Sequence, residues 1–378
     1  MKNQKVVFIT KGNLFGPIQT GGLQCTQRNY QLLCHIFGEE QVEVGILTET
    51  PVEKKVPPHV HYFQNDGRPV RVYWNYLRMR DRIPASLGRE LAAFVNERKP
   101  DLLFLDGSSY CGWTRKLHPS IKKMVFCHNV EKEYIWGWVR HQNWLFLPRF
   151  FTVWRNEGRL VRQADYVICL NQRDAHSLEK LYGRKADLIL PISFSDRFEP
   201  EQAAKASGSG RLLFVGSYFA PNVDGLRWFC RQVLPHIPWS LDVVGKGMEQ
   251  LREELAGEKV SVIGGVPDLA VYYYRAEAVV MPVLFGSGMK VKTAEALQYG
   301  KAIFATREAL EGYQVQDLPA VQECNSAEAF IQALTAFRAA SSRRVYPENR
   351  QRFLELYETS RQEERLRALL EPQTGGNL

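Results

Sequence analysis

Short apolar runs recur through the first half of the chain at intervals too long for hairpins. Val6 to Ile9, Val42 to Leu47, Asp101 to Leu105, Met124 to Cys127 and Tyr166 to Leu170 are separated by long amphipathic stretches. This rhythm is that of a parallel sheet whose strands are covered by helices. The composition then changes over Glu199 to Gly210, a run of Ala, Ser, Gly, Glu and Lys that reads as a linker. Beyond it the pattern restarts, with strands expected at Leu212 to Gly216, Ser240 to Gly245, Val260 to Gly264, Val279 to Val283 and Ala302 to Thr306, and a helix at Asn222 to Val233. At about 150 residues per domain, 378 residues allow two domains of similar size, and the restart divides them.

In the first half, Lys11-Gly12-Asn13-Leu14-Phe15-Gly16 follows the first strand, and Gly21-Gly22 leads into a helix with an apolar face of Tyr30, Leu33, Cys34 and Phe37. A glycine-rich loop at a helix start directs unpaired amides and the positive end of the helix dipole at one point, which suits a phosphate. A plain strand-to-helix turn is the alternative. The spacing is not G-x-G-x-x-G, which counts against a nicotinamide or flavin dehydrogenase. His128 ends the strand Lys123 to Cys127, and ligand-contacting residues of open parallel sheets gather at such ends. It is placed to hydrogen-bond a sugar or phosphate, or else is a satisfied structural histidine.

Between Tyr134 and Trp154 stand Trp136, Trp138, Trp144, Phe146, Phe150 and Phe151, with Arg140, Arg149 and Arg155 interleaved. Amphipathic aromatics beside arginine are what an interfacial segment uses on an anionic bilayer. Core packing is the other reading. The composition could also stack bases, but no nucleic-acid module accompanies it, and no nucleic-acid partner is expected. Basic residues exceed acidic ones by eight, which favours anionic partners. Seven widely spaced cysteines with no C-x-x-C pair read as buried thiols in a reducing cytoplasm. The opening apolar run is too short for a secretory signal, and no run is long enough to span a membrane.

The most informative segment is Phe285-Gly286-Ser287-Gly288-Met289-Lys290-Val291-Lys292-Thr293-Ala294-Glu295-Ala296-Leu297-Gln298-Tyr299-Gly300. The glycines permit a tight loop, a helix is expected to start near Ser287 to Lys290 with two lysines in its first turns, and Gly300 stops it. Together with Lys301 to Thr306, Leu213-Phe214-Val215-Gly216-Ser217 and Pro221-Asn222-Val223-Asp224, this segment resembles the retaining glycosyltransferases of family 4, in the branch with a Gly-Ser-Gly-x-Lys-x-Lys loop.

The resemblance implies an α/β chain of GT-B architecture, two Rossmann-like domains facing across a cleft. Residues 1–198 would form the N-terminal acceptor domain, 199–210 the linker and 211–345 the donor-binding domain. Residues 346–378 would carry a C-terminal helix, expected from Glu348 to Leu370, that crosses back to the N-terminal domain. Of two glutamates commonly found eight positions apart around the loop, Glu295 matches the second and Ser287 stands at the first. An Arg and Lys pair after the first strand of the second domain falls on Ser217 and Asn222, so Lys290 and Lys292 are candidates to neutralise the donor diphosphate. Solvated surface lysines are their alternative. The resemblance places His128 and Gly21-Gly22 at cleft positions that contact sugar and diphosphate.

Expected donor-site residues are therefore Gly21, Gly22, Gly216, Ser217, Gly286, Ser287, Gly288, Met289, Lys290, Lys292 and Glu295, with His128, Lys290 and Glu295 assigned to catalysis. Glu295 would take the two ribose hydroxyls on its two oxygens, as the matching Glu does in relatives. An intrahelical salt bridge to Lys292 is the other possibility.

The expected activity is transfer of a sugar, with retention, from a nucleoside diphosphate sugar to a hydroxyl of a glycan or lipid-linked saccharide, as in polysaccharide biosynthesis. No metal and no cofactor are expected beyond the donor. A sugar-nucleotide 2-epimerase of the same fold and a degenerate non-catalytic binding subunit are the alternatives. The expected location is the cytoplasm, peripheral on the inner face of the membrane through residues 134–155.

Overall fold

The computed structural model describes residues 3–371 apart from 13, 17–20, 50–56, 66–67, 79–81, 110–111, 142–143, 207–208, 287 and 341–343. The chain forms two compact units, Met1–Leu190 with Glu363–Leu378, and Pro191–Gln362.

The first unit is built on β1 (Val6–Lys11), β2 (Val42–Thr48), β3 (Val60–Gln64), β4 (Leu102–Leu105), β5 (Lys122–Cys127), β6 (Tyr166–Cys169) and β7 (Leu188–Ile189). Its helices are α1 (Gly21–Phe37), α2 (Pro69–Leu77), α3 (Ala85–Arg98), α4 (Glu131–His141), α5 (Leu147–Gln163) and α6 (Gln172–Tyr182). All seven strands are parallel in the order β3-β2-β1-β4-β5-β6-β7. The central strand pairs Val6 with Val42 on one side and with Leu102 on the other. Helices cover both faces, so Val6 to Ile9 and Leu102 to Leu105 have no solvated side, and burial of that apolar surface drives the collapse. The order reverses between β1 and β4, which opens a crevice at their C-terminal ends.

The second unit repeats the plan with β8 (Arg211–Val215), β9 (Ser240–Val244), β10 (Val260–Gly264), β11 (Ala278–Met281), β12 (Ala302–Ala305) and β13 (Val321–Glu323), parallel in the order β10-β9-β8-β11-β12-β13. Its switch point lies between β8 and β11. Around the sheet run α7 (Pro200–Lys205), α8 (Ala220–Gln232), α9 (Arg252–Leu255), α10 (Ala270–Arg275), α11 (Val291–Gln298), α12 (Arg307–Leu310), α13 (Ala327–Ala340) and α14 (Pro347–Leu356), and α15 (Thr359–Leu370) passes from this unit to the first.

Two local expectations are corrected. The stretch read as a linker contains the short helix α7, and Glu199 and Ser209 donate backbone N–H groups to Tyr274 Oη and to the Arg275 carbonyl. The single helix expected from Glu348 to Leu370 is two. The break falls at Tyr357, whose buried ring meets Tyr313 at 5.0 Å and whose carbonyl accepts from the Phe194 amide. Past the break, Glu363 reaches His35 of α1, with Oε2 3.2 Å from Nδ1. Cys25, Cys127, Cys169 and Cys324 are buried free thiols, Cys34 and Cys230 are half-buried, and Cys111 lies outside the described residues.

Candidate functional site

Each unit gathers polar side chains where its strand order reverses. In the first, the hub is Asp106, the first polar residue after the apolar run of β4. Its buried carboxylate accepts from Thr10 Oγ1 at 3.0 Å, Thr26 Oγ1 at 2.5 Å and Asn29 Nδ2 at 2.8 Å, and meets His128 Nε2 at 3.0 Å. Thr10 ends β1, Thr26 and Asn29 lie on α1, and His128 follows β5. Burial opposes charge on both members of the pair, but each outweighs that penalty for the other. Asp106 is held below the usual carboxylate range, and His128 is pushed up to about 10. At neutral pH the imidazole is therefore protonated, a hydrogen-bond donor and not a base.

Cys25 joins this cluster. Burial raises its thiol, yet Arg28, which donates to Sγ at 3.1 Å, and His128 together bring it below the ordinary value. Gly21 and Gly22 are the first two residues of α1, one turn before Cys25, and the loop residues just ahead of them lie outside the described residues.

In the second unit the loops after β8 and β11 flank the switch point. The loop after β8 meets the loop after β9, and α8 meets the loop after β11, at main-chain distance. A Cβ on Gly245 would lie 1.9 Å from the Gly216 carbonyl oxygen, and one on Gly225 would lie 1.8 Å from the Pro282 oxygen. Only glycine fits at either position. The helix expected from Ser287 to Lys290 starts at Val291, which makes Lys290 its N-cap.

The two lysines have different surroundings. Lys290 Nζ is committed to the Gly288 carbonyl, at 2.8 Å, and to the Glu308 carboxylate. Lys292 is buried, with Nζ donating to Asn222 Oδ1 at 2.7 Å and standing 4.5 Å from the centre of the Phe214 ring. Asn222 in turn donates to the Ser217 carbonyl at 2.9 Å. Burial brings the Lys292 ammonium down to about 7, against the opposing pull of Glu295. Glu295 accepts from Tyr273 Oη at 3.0 Å. Burial raises its carboxyl, while Tyr273, Lys292 and Arg197 hold it back.

The structure thus brings together Gly216, Ser217 and Lys292 through Asn222, and sets Glu295 one turn beyond Val291 on α11. Gly288 has a φ of +66° and Met289 is buried, while Ser287 lies outside the described residues. Asp106 and Tyr273 were missed by sequence reasoning, and Asn222 was noted there only as a departure from the family's Lys. Asp106 was within reach, because the rule that singled out His128, a polar residue closing a buried strand, applies equally to it.

In the aromatic stretch, Trp144 is 72% exposed, and Trp136, Phe151 and Trp154 are also exposed. Trp136 meets Phe150 at 5.1 Å, Lys132 Nζ stands 4.4 Å from the Trp154 ring centre, and Arg140 lies over Trp136. Trp74 and Leu77 of α2 add exposed apolar surface, and α2 is bound to α5 by Thr152 Oγ1 donating to the Tyr76 carbonyl. The alternative of core packing does not hold for these residues. Among the described residues no helix is long and apolar enough to cross a membrane, and no three of His, Cys, Asp and Glu gather as a metal site.

Comparison with known proteins supplies the wider context. Residues 32–192 match the model of Glycosyltransferase Family 4 and residues 209–338 that of Glycosyl transferases group 1, together more than three quarters of the chain. No curated protein matches in sequence. Among solved structures, sucrose-phosphate synthase from Thermosynechococcus elongatus is similar over 97% of this chain and 98% of its own, at 15% identity and a TM-score of 0.72. HepE of Anabaena, in complex with UDP, is similar over 97% and 99%, at 13% identity and 0.66. A glycosyltransferase from Rickettsia africae is similar over 98% and 99%, at 11% identity and 0.64.

Proposed function

We propose that this chain, which belongs to the family 4-like glycosyltransferases of GT-B fold, moves a sugar with retention from a nucleoside diphosphate sugar to a hydroxyl of a glycan or lipid-linked saccharide. The observation that carries this reading is Lys292, an ammonium held out of water at the switch point of the second sheet, with Glu295 on the same helix. An arriving diphosphate offsets the cost of keeping that charge buried. The vicinal hydroxyls of a ribose fit the two oxygens of Glu295. That HepE was crystallised with UDP supports a uridine or similar nucleotide as ligand.

The reaction is a front-face substitution. The bond from the anomeric carbon to the phosphate oxygen breaks, the acceptor oxygen bonds to the same face, and the departing phosphate oxygen takes the acceptor's proton. No protein base is needed, which agrees with a His128 held protonated. In this reading His128 donates a hydrogen bond to a sugar hydroxyl, and lysine and backbone amides offset the leaving diphosphate without a metal. The exposed rings of α4 and α5 with Arg140, Arg155 and Lys132 dock the first unit on an anionic bilayer.

A thermal-shift panel of nucleoside diphosphates and their sugars tests the donor site, since a ligand of the native state raises its apparent stability. At least one nucleoside diphosphate should raise Tm, and no shift across the panel would overturn the reading. Incubation with donor alone separates transfer from epimerisation. Co-sedimentation with anionic and neutral vesicles at low and high salt tests docking, and equal failure on both returns the aromatics to another role.

A further inference from the structure

A cavity of about 90 Å³ lies inside the first unit, beside the C-terminal ends of β1, β2 and β3. That is several times the roughly 10–15 Å³ one water needs, and enough for a phosphate or part of a sugar ring. Its wall carries Lys11, Arg82 and Arg149 together with Glu49, Glu131, Glu157, Asn65 and Tyr76.

These charges are not equally engaged. Arg82 is paired with Glu49. The Glu157 carboxylate is saturated by Ser108 Oγ and Tyr182 Oη, each at 2.7 Å, and by the amides of Glu131 and Lys132 at the start of α4. Burial also raises the Glu157 carboxyl to about 7, which weakens its negative charge, so the wall sets the cations Lys11, Arg82 and Arg149 against the carboxylates Glu49 and Glu131. The orphaned atoms point the same way. Arg149 Nε and Asn65 Oδ1 are both buried without a hydrogen-bond partner, and both residues line this cavity. Buried polar atoms are almost always satisfied. A ligand with an anionic group and a hydroxyl would satisfy the two together.

We infer that this cavity binds an acceptor saccharide through a phosphate or carboxylate that it carries, with Arg149 as the principal contact. The inference rests on the glycosyltransferase reading and adds to it the chemical class of the acceptor. α5 supports the assignment by its two faces. Arg149, Thr152, Val153, Asn156 and Glu157 face the cavity, while Phe151 and Trp154 on the same helix are exposed.

The test is calorimetric titration with glucose 6-phosphate, glucuronate and glucose, with the protein saturated in UDP so that the donor site is occupied. The two anionic sugars should bind at least tenfold more tightly than glucose, and Arg149→Gln should remove that preference while UDP affinity stays unchanged. Asn65→Asp, which adds a negative charge to the cavity, should weaken the anionic sugars and spare glucose, and stands in if the Arg149 variant does not fold. Displacement of glucose 6-phosphate by a micellar polyprenyl diphosphate saccharide would support a lipid-linked source, and its absence a soluble one.

Equal affinity for charged and neutral sugars, or an unaltered preference in both variants, overturns the inference. Retained UDP binding in that event leaves the glycosyltransferase reading standing. Loss of UDP binding in the wild-type protein would count against that reading instead.

Discussion

The two switch points solve opposite electrostatic problems. At the first, Asp106 and His128 are each driven further into the charged form, and every oxygen of Asp106 has a partner. At the second, burial moves Lys292 and Glu295 toward neutrality, and neither has an oppositely charged hydrogen-bond partner among the described residues. In the first site the carboxylate is saturated as folded, although Asn29 Oδ1 beside it is buried without a hydrogen-bond partner. The second gains from an anion that arrives later, which is what a donor site needs.

Removing Asp106 should produce the largest effect. Asp106→Ala strands a charged imidazole and three buried polar groups, and breaking a buried pair in this way costs about 3–5 kcal/mol. Urea unfolding followed in the first unit should show it. A loss below about 1 kcal/mol would mean that Asp106 does not anchor the network described.

Lys292→Met should do the reverse, leaving stability unchanged or raised because a desolvated ammonium is gone. Nucleoside diphosphate binding should weaken by roughly 1.5–3 kcal/mol, ten- to hundredfold. Lys290→Ala should cost much less binding, since that side chain already serves Glu308. Equal losses at the two positions would erase the distinction between them.

Glu295→Gln should weaken the same binding by about 1 kcal/mol, a net hydrogen-bond contribution, with the fold intact. If affinity persists and only Tm falls, Glu295 is structural through Tyr273.

The finest test is the sign of the pH response. His128 has a folded value of about 10 against 6.5, so its contribution to stability is complete below pH 6.5 and lost as pH rises through 10. Lys292 has a folded value of about 7 against 10.5. The unfolded chain then binds the extra proton over that window, and stability rises with pH. Between pH 7 and 10, hydrogen exchange corrected for its intrinsic rate should show β5 losing protection and α11 gaining it. The same sign in both would break the comparison. UDP binding near pH 8 should also take up a fraction of a proton, read from calorimetry in buffers of different ionisation enthalpy.

What the sequence made legible follows from burial. Ten of the thirteen strands among the described residues could be read because they carry apolar runs. The three that were not, β3, β7 and β13, are all sheet edges: β3 contains His61 and Gln64, β7 has two residues, and β13 is Val-Gln-Glu. An edge strand is covered less completely and needs no continuous apolar run. The helix break at Tyr357 was hidden because its cause, the pairing with Phe194, lies far away in sequence. Among site residues, Glu295 stood out through its motif, whereas the commitment of Lys290 to Glu308 depends on how the loop after β11 meets α12. Spacing along one helix carries no information about that meeting.

The glycine contacts in the second unit have a consequence for how such an enzyme can change. Because Gly245 touches the Gly216 carbonyl and Gly225 the Pro282 carbonyl, the frame of the proposed donor site rests on main-chain contacts. The Ser217 side chain takes no part in those contacts, whereas Asn222 holds the Ser217 carbonyl. If the proposed function holds, recognition and architecture are separable: the charge that meets the donor rests on Lys292, while three glycines and one proline space the loops around it.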